Sequence, residues 1–527
     1  MTSQAIDLQK SGSVSDLDPR RWLALVVIGI AQLMVVLDAT IVNIALPDAA
    51  TALHITDANR QWIVTAYALP FGALLLLGGR IGDYLGRKKV LMIALGGFAV
   101  ASAIGGIAQN FVMLAGARAL QGIFAAMLAP STLSMLTVTF RDPKERAKAF
   151  AVFGAIAGGG AAVGLVLGGL LTEYATWRWC LLVNIPISVV AIVGTSIYLH
   201  ESSTERQGSY DVLGALLATL GLGMLVWGFN QASSHTWSSP NTWGWLIGAV
   251  VLLALFAVLN SRNPHAILPM RILKNRNRAG AYVVGLLVGT GLYAMFLFLT
   301  FFLQEVKGWS PVKSGVAFLP FSGGIIIGAG VGSQWVLNVG AKVVVPVGLV
   351  LGVAGLLLLS RLSLTTSYAT GLLPAILLIS IGMGFIFMST TNVALHGVNP
   401  ADSGVASAMV NTTQQIGGSL GTALLSTFAV SSTVSYIAGH LNGDQAVGAA
   451  LALSKSNPMA FYQAAAVPDS PASKALVLVN AASTHGYTVA FLWAAGFFAI
   501  ATVASILLIN AGKHEAEDAE PALTTTI

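Results

Sequence analysis

Charge is what this chain has least of: Asp, Glu, Lys and Arg make up only 9% of its 527 residues, against 55% apolar. No set of water-exposed domains of that size keeps its surface solvated with so few charges. Soluble enzymes and scaffolds are thereby excluded, and the solvent of the fold is a bilayer. A single cysteine, Cys180, excludes an internal disulfide; between Trp177 and the following apolar run, next to Trp179, it reads as inert packing at a membrane boundary. There is no Gly-x-x-x-x-Gly-Lys-Ser/Thr run, hence no cradle for the phosphates of ATP. The eight histidines are scattered without His-x-x-x-His spacing or glutamate partners, so no metal is expected and no cofactor. No constellation of nucleophile, base and acceptor is visible either, which argues against an enzyme.

Long apolar runs are what the chain has in abundance. A span needs roughly 20 mostly apolar residues, and about fourteen stretches meet that requirement. The expected fold is an all-α polytopic membrane protein, and an even number of spans places both termini on one side. With that side cytoplasmic, most Lys and Arg fall on the inner face, as basic residues do in plasma-membrane proteins. The richest clusters are the turn Gly79 to Lys89, the loop Arg141 to Arg146, and the stretch Arg262 to Arg278. The net charge of +6 therefore reads as topology, with no nucleic-acid partner implied.

Polarity divides the chain into a cytoplasmic tail over 1–21, a six-helix bundle over 22–199, a connector with two additional spans over 200–279, a second six-helix bundle over 280–512, and an acidic cytoplasmic tail over 513–527. The apolar run after Arg20-Arg21 is too long for a signal peptide, so the N-terminus is expected to be retained. Within the second bundle, 430–485 is a long external connection, and its composition leaves a short helix and disorder equally open. Two six-helix halves suggest duplication, common where halves rock about a central site. Asn338-Val339-Gly340-Ala341-Lys342 weakly echoes Tyr84-Leu85-Gly86-Arg87-Lys88, with Leu337 in the place of Asp83.

Candidate functional residues stand out against this background. Asp38 lies within the first span, where a carboxylate costs about 2.5–3.5 kcal/mol on insertion scales. Burial disfavours its charge and a nearby cation restores it, so an acid beside a mobile partner can change protonation as access alternates. The simpler alternative is an acid that snorkels to the outer interface. Arg118 is a cation within another span and needs an acceptor; Asp38 is the candidate, or else backbone carbonyls in a static pair. In the first turn, Gly79 and Gly86 permit a sharp helix-to-helix connection, Asp83 can cap or pair, and Arg87, Lys88 and Lys89 hold the turn to the inner face. Gly160, Gly164 and Gly168 recur every fourth residue, so with Gly169 they give a face on which another backbone can approach; a moving seam and ordinary tight packing are equally compatible with it. Asn43, Gln121, Asn411, Gln414 and Gln415 are amides in apolar surroundings, candidates for lining a substrate cavity or for gluing helices.

These residues resemble the major facilitator superfamily, and within it the fourteen-span drug:proton antiporters of the QacA and EmrB type. The resemblance runs from about Trp22 to Gly512. Gly79 to Lys89 resembles the family's loop motif, which implies a charge relay through Asp83 and Arg87 that latches the outward-open state. Leu37 to Pro47 resembles the motif peculiar to the fourteen-span branch, implying a proton-coupling role for Asp38. Arg118 with Gln121 and Gly122 resembles the fourth-helix motif, whose arginine is implicated in proton transfer. Trp177-Arg178-Trp179, Asn184-Ile185-Pro186 and Gly404 to Gly421 fit the same branch. The implied activity is export of an amphipathic organic molecule from a bacterial cell, by a monomer in the plasma membrane, against inward proton flow. The chain departs from the family at Leu165, where the antiporter motif has proline; without it the fifth helix keeps its backbone hydrogen bond, and export of a lipid, an endogenous metabolite or a self-made antibiotic stays open beside drug export. A passive channel or a membrane sensor is the reading from another class.

Overall fold

In hydrocarbon every backbone N–H and C=O must be paired within the chain, which leaves helices as the solution for runs of this composition. The computed structural model is all-helical, with no strand among the described residues. It describes residues 20–512 apart from 141–142, 202–210, 236–238, 264–265, 267, 269, 399–402, 442–443 and 457; within helices some side chains, that of Asp83 included, lie outside the described set.

The first group of helices is α1 (Arg21–Ala52), α2 (Asp57–Leu85), α3 (Arg87–Gly106), α4 (Phe111–Thr139), α5 (Pro143–Tyr174), α6 (Trp179–Leu182) and α7 (Asn184–Tyr198). Two further helices follow, α8 (Val212–His235) and α9 (Pro240–Arg262), then a short α10 (Met270–Lys274). The second group is α11 (Arg276–Phe301), α12 (Pro311–Ala317), α13 (Leu319–Val339), α14 (Ala341–Leu359), α15 (Leu373–Leu395), α16 (Ser403–His440), α17 (Gln445–Ser456), α18 (Pro458–Ala465) and α19 (Pro471–Leu508). Eleven helical stretches among the described residues are long and apolar enough to cross a membrane, and Gly159–Tyr174 and Leu213–Phe229 are shorter apolar stretches. The protein is a multi-pass membrane protein.

Local sequence sets the ends of these helices. Asn110 Oδ1 accepts from Met113 N at 2.9 Å to start α4, and Asn275 Oδ1 accepts from Arg278 N at 3.1 Å to start α11; each satisfies one of the orphan donors of a first turn. Gly86 (φ 97°) and Gly340 (φ 80°) make the α2–α3 and α13–α14 turns with positive φ, so the weak sequence echo corresponds to the same backbone device used twice. Arg278, counted with the basic connector in the sequence, is buried: its Nε donates to Ala394 O at 3.1 Å and its Nη2 to His396 O at 3.2 Å, capping the end of α15.

In the first group, α1 packs on α5 and α7, α2 on α4, and α3 on α4 and α7; in the second, α11 packs on α16 and α19, α13 on α15, and α14 on α15 and α19. The groups meet where α2 lies along α16 and where α5 meets α12 and α13. At the end where α1 begins and α19 ends, Leu25, Ile28, Leu91, Phe98 and Phe140 form a core whose buried members all come from the first group, with Ala408 of α16 packed against it. At the opposite end one continuous core runs from Ile41, Ile44 and Ile63 of the first group into Phe298, Phe302 and Phe318 of the second. Polar ties cross there as well: Arg60 pairs with Glu305, Gln304 Nε2 donates to Ile44 O at 3.0 Å, and Glu173 Oε2 accepts from Val312 N at 2.9 Å. The two groups are thus fused at one end of the bundle.

α8 lies against both α2 and α16. Its Phe229 O accepts from Thr427 Oγ1 at 3.3 Å, and Trp227 stands 5.1 Å from Trp62 and 6.4 Å from Trp245 between ring centroids. The 430–485 connection is largely helical: α16 continues to His440, α17 and α18 form a small lobe around Val447, Ala450 and Phe461, and α19 begins at Pro471 with Ser470 Oγ accepting from Ser473 N at 3.0 Å. Of the two outcomes its composition left open, the helical one holds, in line with its alanine content.

Candidate functional site

Arg118 and Gln121 are three residues apart on α4 and so share one helix face. That face meets Asp38, which is fully buried at 0% exposure, with Arg118 at 1%. Arg118 Nη1 donates to Asp38 Oδ2 at 2.6 Å. Gln121 Nε2 donates to Asp38 Oδ1 at 3.0 Å while Gln121 Oε1 accepts from Arg118 Nη1 at 2.9 Å. Two residues that the sequence reading did not assign to the site complete it: Asn184, at the start of α7, donates Nδ2 to Asp38 Oδ1 at 2.8 Å, and Ser102 on α3 shares a 2.7 Å bond with Gln121 Nε2. Arg118 also donates Nε to Ile63 O at 3.2 Å and lies 4.3 Å over the Tyr67 ring, so α2 holds the guanidinium from its other side.

Asp38 is therefore not a snorkelling acid; it is the single contribution of α1 to a cluster held by α2, α3, α4 and α7. Removing one member of a buried ion pair typically costs about 3–5 kcal/mol, because the survivor keeps its charge without water. The arrangement supports a charged pair and makes it sensitive to any event that neutralises the acid. Gln121 belongs to this cluster and not to a cavity wall. Asn184 was legible only as part of the Asn184-Ile185-Pro186 resemblance, with no role attached, and Ser102 and Tyr67 carried no signal in the sequence.

The other candidates are placed as follows. Gly160, Gly164 and Gly168 do not lie on the seam between the two groups: a β-carbon at Gly164 would come within 2.1 Å of Thr40 Oγ1, one at Gly168 within 2.8 Å of Ile41 O, and one at Gly160 within 3.1 Å of Leu33 and Val36. They let α5 approach α1 inside the first group. Gly169 alone faces the second group, 2.7 Å from Pro311 O by the same measure, next to Leu165 O, which would meet a β-carbon on Gly315 at 2.4 Å. α5 is unbroken through Leu165.

Gly79, expected to shape the first turn, lies inside α2, in ordinary contact with Pro130 at 3.5 Å from an added β-carbon, and the turn is made at Gly86; Gly78, at 2.1 Å from Ala126 O, and Gly122, at 2.3 Å from Tyr67 O, bring α2 and α4 together. Glu201, missed in the sequence, accepts from Lys88 N at 3.1 Å and Lys89 N at 3.2 Å, and Lys88 Nζ donates to Ser196 O at 3.0 Å. The start of α3, at Arg87, is thereby tied to the end of α7. The Asp83 side chain, on which the relay depends, lies outside the described set.

Of the amides, Gln415 sits between the groups, accepting from Tyr293 OH and facing Gly72. Nearby, the Thr65 and Thr422 hydroxyls meet at 2.8 Å across the α2–α16 seam. Gln414 packs on α11, where its carbonyl oxygen would be 2.3 Å from a β-carbon at Gly289. Asn43 Nδ2 donates to Ala39 O at 3.3 Å on its own helix, and Asn411 is exposed. Gln415 is the candidate amide that lies at the seam between the groups, buried against Gly72 of α2.

Comparison with known proteins extends these observations. The chain is 40% identical over 511 residues to the puromycin resistance protein pur8 of Streptomyces alboniger, covering 96% of this chain and 95% of the relative. It is 34% identical to the cephamycin export protein CmcT of Amycolatopsis lactamdurans, over 81% of this chain and 89% of the relative. A crystal structure of a bacterial homolog of the human lysosomal transporter Spinster, inward-facing and unoccupied, superposes with a TM-score of 0.62 at 16% identity, covering 93% of this chain and 98% of that one. The sequence profile of the Major Facilitator Superfamily matches residues 28–422. A chain whose helices carry this fold, whose profile match spans most of its length, and whose relatives are named for antibiotic resistance and export belongs to the Major Facilitator Superfamily, among its drug-efflux members.

Proposed function

We propose that the protein exports amphipathic organic molecules, antibiotics of the puromycin and cephamycin kind among them, out of the cell across the plasma membrane in exchange for protons. The termini are cytoplasmic in this reading, so the fused end of the bundle is the external one and the conformation is closed to the outside. Asp38 carries the proton. While charged, it binds α1 to Arg118 on α4 and to Asn184 on α7. Once neutral it loses the Coulombic part of that hold, whereas Arg118 keeps Gln121, Ile63 O and the Tyr67 ring. α1 is then the element freed to shift, and with it α5, whose glycines seat on it. Tilting of α1 and α5 against α11, α12 and α13 breaks the external ties at Gln304 and Glu173 and exchanges access from one side to the other. The family's small-molecule cargo binds between the halves near Gln415, and the protein works as a monomer.

The observation that carries this reading is the fully buried Asp38–Arg118 pair at 2.6 Å, an arrangement whose cost in an apolar bundle is explained by a proton-dependent task. Purified protein in proteoliposomes with an imposed pH gradient tests it with puromycin as cargo. Accumulation should follow the gradient and collapse in Asp38→Asn; equal, gradient-independent movement in both would defeat the proposal. Leu165 in place of the family's proline favours a second reading, export of a lipid or endogenous metabolite, which predicts movement of a fluorescent phospholipid in the same vesicles and none of puromycin.

A further inference from the structure

We infer that Asn184 reads the protonation of Asp38: its amide donates to the carboxylate and, after a half-turn about its terminal side-chain bond, accepts from the neutral acid. The inference rests on the proton-carrying role proposed for Asp38. Every side-chain group that touches the Asp38 oxygens is a donor: Arg118 Nη1 at 2.6 Å on Oδ2, and Gln121 Nε2 at 3.0 Å and Asn184 Nδ2 at 2.8 Å on Oδ1. That shell suits a carboxylate, which only accepts. A protonated carboxyl has an O–H to donate, and a guanidinium has no acceptor to offer it.

Two amides remain, and they differ. Gln121 has its oxygen committed to Arg118 Nη1 at 2.9 Å and its nitrogen shared with Ser102 Oγ at 2.7 Å. Turning it would break both bonds. Asn184 has an oxygen that is buried and without a hydrogen-bond partner, in a residue at 0% exposure. Buried acceptors are seldom left unmade, and one adjacent to a group that gains a donor on protonation has a stated use. The half-turn is a rotation about the terminal side-chain bond and needs no backbone movement of α7, which Asn184 opens.

The titratable and charged groups facing Asp38 are consistent with this division of labour. Arg118 comes from α4, Tyr67 from α2 and Cys180 from α6, while Asp48 stands further along α1 and Tyr293 of α11 lies beyond Tyr67. At the acid, α3, α5 and α7 present Ser102, the glycine face around Gly164, and Asn184. The cation sets the charge of the site, and Asn184 is the positioning residue whose hydrogen bond changes sense with it.

Infrared difference spectroscopy on the whole purified protein in nanodiscs tests the inference without any cargo. The carboxyl band of Asp38, assigned by its loss in Asp38→Asn, is titrated with pH while the amide carbonyl of Asn184 is followed by isotope-labelled asparagine, assigned by its loss in Asn184→Leu. The Asn184 carbonyl band should shift together with Asp38 protonation, because its oxygen gains a donor. In both Asn184→Ala and Asn184→Leu the Asp38 midpoint should differ from that of the wild type, since each variant loses a hydrogen bond whose strength differs between the two protonation states. A packing effect would separate the small and the isosteric variant; a purely structural asparagine would leave its carbonyl band unmoved. An unmoved band in wild type, or a midpoint that stays put in Asn184→Leu, overturns the inference while leaving proton coupling intact. Absence of any titrating Asp38 band in wild type would instead sink the proton-carrying role itself.

Discussion

At the scale of single residues the chemistry is concentrated in one ion pair. Arg118→Ala should destabilise the protein by about 3–5 kcal/mol at neutral pH, because the Asp38 charge stays buried without its cation. The loss should shrink as pH is lowered and the acid becomes neutral, which thermal unfolding in detergent at several pH values would register. Arg118→Lys should rescue only part of it: a single ammonium does not reproduce the fork that reaches Asp38, Gln121 and Ile63 O together. The pair was legible in the sequence because a charge within an apolar run is rare and demands a partner. Its surroundings were not. Asn184, Ser102 and Tyr67 lie on different helices, and nothing in a run of residues says which helices will be neighbours.

At the scale of helices, glycine placement decides how closely α5 and α1 can approach. Gly164→Ala should cost about 1–3 kcal/mol and lower the yield of folded protein, because the added carbon would come within 2.1 Å of Thr40 Oγ1. Gly159→Ala, five residues earlier with nothing within 4 Å, should be neutral or stabilise by up to about 1 kcal/mol through helix propensity. Side-by-side melting curves would compare the two. The four-residue spacing predicted a close helix contact, and there is one, but the partner is α1 and not the opposite half. Spacing gives the face of a helix; it does not name what meets it. Similarly, Glu201→Gln should weaken the start of α3 by about 0.3–1 kcal/mol, the usual worth of an anion at a helix N-terminus, read as faster amide exchange at Lys88 and Lys89. That contact joins residues more than a hundred positions apart, beyond the reach of any local motif.

At the scale of the whole molecule, the cores say more than any residue does. One apolar cluster spans both groups of helices at the end away from the termini, while a separate cluster belongs to the first group at the other. A protein that works by alternating access must undo the fused end in each cycle. Thr65→Cys with Thr422→Cys, replacing hydroxyls 2.8 Å apart across the seam, should therefore form a disulfide on mild oxidation that stops export and is reversed by reductant. The native Cys180 is buried and should stay silent. Full export with the link quantitatively formed would point to a passive pore.

The sequence by itself determined that this is a helical membrane protein, where most of its helices run, and that Asp38 and Arg118 carry unusual charge, because the cost of polar groups in hydrocarbon is written in composition and order. The tertiary structure decided which helices touch: that Asn184 and Gln121 close around Asp38, that the glycine face of α5 seats on α1, and that one apolar core runs continuously from one half into the other at the end away from the termini. Those facts arise from contacts between segments far apart along the chain, and packing in three dimensions, not any local pattern, selects them.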